Sequence, residues 1–141
     1  MIIDNQLVLS AEQDIIAISS SGNTTSTNTI VVGKADFGYK GCYLAVVARS
    51  AILAPATNGS VNIEVQACDE STFSTPTTIK TENVALGGAI AKDTLLTKFI
   101  LRDVAGLKYV RIKFTGVGYV KNSSQSALKV DAFITFDYPT K

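Results

Sequence analysis

The chain has 141 residues, a formal net charge of +1, 18% charged residues and 46% hydrophobic residues. That length supports one domain (residues 1–141) able to bury its own core, and the near-neutral total lacks the basic excess of a nucleic-acid-binding protein. The absence of histidine removes the commonest general base and zinc ligand, while two cysteines, Cys42 and Cys68, are too few for a disulfide framework.

Residues 1–10 read as an extended N-terminal arm with Ile2, Ile3 and Leu7 as its apolar contacts. No basic region followed by a long apolar stretch opens the chain, so no secretory signal is expected. No run approaches the roughly 20 apolar residues of a membrane span. Ser10 followed by Glu12 and Gln13 predicts one short helical turn over 11–14. The Ser, Gly, Asn and Thr tract at 19–29 predicts a loop.

Residues 30–32 are a short β-branched strand stopped by Gly33, and the loop at 34–41 carries Phe37 and Tyr39, aromatics that need a cover. A nearly continuous apolar run at 43–53 predicts a strand interior to a sheet. Pro55 and Asn58-Gly59 then predict a hairpin that joins this run to the strand at 61–67. In that strand Val61, Ile63, Val65 and Ala67 alternate with Asn62, Glu64 and Gln66. Asp69, Glu70 and Ser71 are turn formers and Pro76 lacks a ladder donor, so 69–76 is a polar excursion with one apolar anchor, Phe73.

Strand signals follow at 84–86, 94–101 and 108–115, the last ended by Gly116 and Gly118, with Tyr109, Arg111 and Lys113 outward. Residues 121–126 read as a polar loop. The last strand, 127–137, sets Leu128, Val130, Ala132, Ile134 and Phe136 inward and leaves Phe133 on its polar side, which predicts a second sheet or a second subunit over it. About eight short strands with Gly, Pro and Asn punctuation predict an all-β antiparallel sandwich; a jelly roll is the first choice, and an immunoglobulin-like sandwich or small barrel has the same pattern.

None of the chemistry-bearing patterns assembles. A nucleophile would need a lysine base in place of histidine, Glu64 points outward, and Asp69 and Glu70 are turn residues. No helix follows Gly87-Gly88 or Gly116-Val117-Gly118 to build a phosphate cradle. The aspartates lack calcium-loop spacing. No enzymatic activity, metal or cofactor is expected.

Three stretches carry a resemblance: M-I-I-D-N-Q-L-V-L-S at the start, I-E-V-Q-A-C-D-E-S-T-F-S-T-P-T-T-I at 63–79, and K-Y-V-R-I-K-F-T-G-V-G at 108–118. In order and spacing they resemble the capsid cement (decoration) proteins of short-tailed double-stranded DNA phages, the Bordetella phage cement-protein group. The tracts at 19–29 and 121–126 have no match in that pattern. The resemblance implies a jelly roll on the outer surface of the virion, with the major capsid protein as partner. It also implies self-association, as a homodimer first and a homotrimer second, and no nucleic-acid, membrane or small-molecule partner. The candidate interface residues are Ile2, Ile3, Leu7, Phe37, Tyr39, Tyr109, Arg111, Phe133 and Tyr138. The competing expectation is a carbohydrate-binding β-sandwich, which Tyr39, Tyr109 and Tyr119 would serve as platforms in a chain without tryptophan.

Overall fold

A computed structural model describes residues 8–31, 42–101 and 107–135, apart from the side chains of Cys42 and Phe99. These residues form two antiparallel sheets packed face to face. Nine strands run in order: β1 (Val8–Asp14), β2 (Asn23–Thr25), β3 (Ile30–Val31), β4 (Cys42–Ala48), β5 (Gly59–Cys68), β6 (Thr77–Leu86), β7 (Leu95–Leu101), β8 (Tyr109–Val117) and β9 (Lys129–Thr135). The first sheet has the order β1-β9-β4-β7 and the second β2-β8-β5-β6, with the two-residue β3 also paired to β8.

The pairings nest. β1 pairs β9, β2 pairs β8, β4 pairs β7 and β5 pairs β6, so the chain is a long antiparallel double strip. The strip closes into two sheets where β4 meets β9 and β5 meets β8. Alternation supplies the reason: Leu44 and Val46 on β4, Ile63 and Val65 on β5, Ile112 and Phe114 on β8, and Val130, Ala132 and Ile134 on β9 all turn to one interior and are buried there. Each large aliphatic side chain so buried contributes about 1.5–3 kcal/mol.

The expected hairpin across 43–67 does not form. β4 lies in the first sheet and β5 in the second, so 49–58 crosses between layers instead of turning back. The Asn-Gly signal has a different cause. A β-carbon on Gly59 would lie 2.2 Å from the Tyr119 amide nitrogen, so glycine is required for close passage of two segments. Gln125, 5% exposed, pins the crossing: its Oε1 accepts from the Leu53 amide at 2.7 Å, and its Nε2 donates to the carbonyls of Ala51 (3.1 Å) and Ala127.

Three other local expectations are corrected. Residues 11–14 are the end of β1, whose register on β9 shifts twice, and the helical turn comes later as a 3-10 segment at Ile16–Ser21. Asp14 sets its start, since its Oδ1 accepts from the amides of Ile16 (3.0 Å) and Leu128 (2.9 Å). The tract at 19–29 contains β2, because backbone groups lying against β8 are satisfied by joining its ladder. β8 runs through Gly116 to Val117. A β-carbon on Gly116 would meet the Ile18 carbonyl oxygen at 1.8 Å, so that glycine lets the 3-10 segment lie on the sheet and bury Ile18.

Candidate interaction surface

The two sheets present different outer faces. On the second sheet, cross-strand register places Thr25, Lys113, Glu64 and Thr81 in one row and Asn23, Thr115, Asn62 and Asn83 in the next. These rows are polar because the buried apolar residues of β5 and β8, Val61, Ile63, Val65, Val110, Ile112 and Phe114, take the alternating inward positions. Asn83 braces the second row, donating from Nδ2 to Asn62 Oδ1 at 2.6 Å and to Ser60 Oγ at 2.8 Å.

At one end of this face the 69–76 excursion folds back onto the sheet. Phe73 takes a left-handed φ of 52° and is 6% exposed, with the Arg111 guanidinium 4.3 Å above its ring centroid. Arg111 Nε donates to Gln66 Oε1 at 2.9 Å, a partner set directly across the β5–β8 ladder. Glu70 closes the loop from within: its carboxylate accepts from the Ser74 hydroxyl, and its carbonyl accepts from the Phe73 amide at 3.1 Å. The excursion is therefore a packed cap, held by one aromatic ring under one cation. Cys68, a buried free thiol, lies beneath it with Sγ 3.7 Å from the Thr75 carbonyl oxygen.

Of the predicted interface residues, Tyr109 and Arg111 lie two apart on the outward side of β8 and are half-buried. Arg111 is engaged by Phe73 and Gln66, and Lys108 Nζ stands 5.3 Å from the Tyr109 ring centroid. Beside Tyr109, Val31 is 62% exposed on β3. Ile2, Ile3, Leu7, Phe37, Tyr39 and Tyr138 lie outside the described residues.

Phe133 requires a correction. Its register partners Ala45 and Val8 place it on the outward face of the first sheet, as the alternation predicts, yet it is only 3% exposed within a single chain. Ala45 at 0% and Thr135 at 3% share that face and that burial. The ring is already out of water in one copy, so covering it requires no second subunit. Phe133 also lies on the opposite side of the sandwich from Tyr109 and Arg111, and the three do not form one surface.

The cap was legible only in part. Sequence identifies Phe73 as an anchor, but its seat depends on the register between β5 and β8, which sets Gln66 beside Arg111. Elsewhere, a shallow open depression lined by Ser19, Ser20, Ala56, Val120, Lys121 and Asn122 contains one ionisable side chain, Lys121, whose Nζ donates to the Gln125 carbonyl at 3.0 Å. Such a depression has no acid–base pair to offer a reaction. Among the described residues no three metal-ligating side chains converge, and no helix is long and apolar enough to cross a membrane. No protein-family model and no curated protein matches the chain.

Proposed function

We propose that this chain is a jelly-roll capsid decoration protein that binds the outer surface of a phage head, bridges neighbouring copies of the major capsid protein and self-associates there. The observation that carries the reading is the strand order. Four nested antiparallel pairs, wound into a four-stranded and a five-stranded layer, are what the jelly roll implied by the resemblance in the 63–79 and 108–118 segments would require.

The faces support the same reading. A decoration protein keeps one surface wet while another adheres, and here the second sheet carries Asn, Thr, Lys and Glu rows while the outer face of the first carries half-buried Tyr43 and Val47 and the 40%-exposed Ile100. A rigid sandwich resists separation of the capsomers it bridges through buried area repeated at every seam, on the order of 1,600 Å² per standard contact. Multiple attachment adds effective concentration to that area. No reaction belongs to this proposal.

The test is addition of purified protein to expanded heads that lack it. The proposal predicts saturable co-sedimentation and a higher temperature of DNA release; heads that neither bind nor gain heat resistance would contradict it. A carbohydrate-binding module would use Tyr109 as its stacking platform, and the Lys108 ammonium over that ring occupies a face a sugar would need. Glycan-array binding lost in Tyr109→Ala, together with no head binding, would favour that module instead.

A further inference from the structure

We propose that two copies of this chain join edge to edge along β6, in a two-fold antiparallel pairing centred on Thr81. The inference names the seam for the self-association proposed above, but it is read in solution without capsids, so either proposal can fail while the other stands.

β6 is the outer strand of the second sheet, ten residues long, and among the described residues no strand pairs with its far side. A long edge of this kind is a template for another strand, and folded proteins either block it or use it. Around Thr81 the sequence is self-complementary. In an antiparallel pairing about a two-fold axis at Thr81, Lys80 stands directly across from Glu82 of the partner subunit, and Glu82 across from Lys80 of the partner subunit. Directly opposed side chains have Cβ atoms about 4.5–5.5 Å apart, close enough for opposite charges to support the register and like charges to oppose it.

The residues already present the needed geometry. Two apart on one strand, Lys80 and Glu82 project to the same face, where they lie 3.3 Å apart with side chains 40% and 35% exposed. The pairing also needs no particular hydrogen-bond phase, because a two-fold axis at a residue makes Thr81 its own partner whether that pair is hydrogen-bonded or not. On the near side the β5–β6 register is regular from Gly59↔Leu86 to Val65↔Lys80, and its irregularity falls beyond the charged triplet.

One edge of the other sheet, β7, behaves oppositely. β7 carries Lys98 at its centre, and a two-fold pairing there would set lysine against lysine. That is the usual protection of an edge against self-association. Unlike β7, β6 has a charge order that complements itself.

Sedimentation velocity of the full chain across a concentration series tests the proposal. The wild type should dimerise, and Glu82→Lys and Lys80→Glu should each weaken dimerisation by roughly tenfold or more, since each turns two attractive contacts into two repulsive ones. The double variant Lys80→Glu/Glu82→Lys should recover wild-type dimerisation. A monomeric wild type, single reversals that leave dimerisation unchanged, or a double variant as weak as the singles would each overturn the proposal. Should a single reversal fail to fold by circular dichroism, amide exchange of the wild type decides. β6 amides must gain protection as the dimer forms, and unchanged protection overturns the seam.

Discussion

Replacing Phe73 with alanine separates a packed cap from a solvated turn. The ring is 6% exposed and has the Arg111 guanidinium over its face at 4.3 Å. Withdrawing a buried phenylalanine ring from its contacts costs about 1.5–3 kcal/mol, and a partly desolvated cation–ring contact adds about 0.5–2 kcal/mol. Alanine keeps the left-handed backbone penalty at φ 52°, so that strain cancels between the two proteins. Part of the loss is recovered as the loop relaxes, leaving an expected destabilisation of about 2–4 kcal/mol. Equilibrium urea unfolding should show a lower midpoint at an unchanged slope. Phe73→Leu should fall between, since it keeps most of the burial and loses the ring, and a double-mutant cycle with Arg111→Ala isolates the pair. A Phe73→Ala loss below about 0.5 kcal/mol, the size of an ordinary surface change, would refute the cap.

Gly116→Ala should destabilise by about 1–3 kcal/mol, because its β-carbon meets the Ile18 backbone carbonyl rather than a side chain able to move; thermal unfolding measures it. Gln125→Leu should cost about 1–3 kcal/mol by stranding the Leu53 amide and Ala51 carbonyl, with earlier proteolytic cleavage in the 49–58 crossing as the local readout. Tyr119 is fully buried with no hydrogen-bond partner for its hydroxyl among the described residues, and burial pushes its phenol above the ordinary range. Tyr119→Phe should therefore be neutral or stabilising by about 1 kcal/mol near neutral pH. With the folded-state pKa raised, ionisation favours the unfolded chain once pH passes the ordinary tyrosine value, so this part of the stability is lost on the alkaline side. The wild type should lose more stability than Tyr119→Phe between pH 9 and 11 (about one unit either side of a free tyrosine's pKa), and parallel curves would contradict the assignment.

The strands were legible where one side of the chain is apolar and the other polar. Val61 to Ala67 and Val110 to Phe114 alternate because one face of their sheet is core and the other water, and the structure keeps that assignment. β6 was only partly legible, since edge positions such as Lys80 and Glu82 tolerate charge toward the rim and break the alternation. The 43–67 hairpin failed for another reason. Asn58-Gly59 is a turn signal by composition, but here the glycine answers a contact with Tyr119, more than fifty positions away in sequence. Likewise, alternation put Phe133 on the outward face correctly, but what covers a sheet cannot be read from its own strand. For the candidate surface, residue identities were readable and their pairings were not: Arg111 looked like a free anchor until register placed Gln66 and Phe73 against it.

Imaging phage heads at subnanometre resolution with and without this protein tests the central claim most directly. The account predicts additional density on the outer surface, at seams between capsomers, into which the two-layer sandwich fits with the outer face of its first sheet toward the shell. Heads of identical outline in the two preparations, or density confined to the interior, would contradict it.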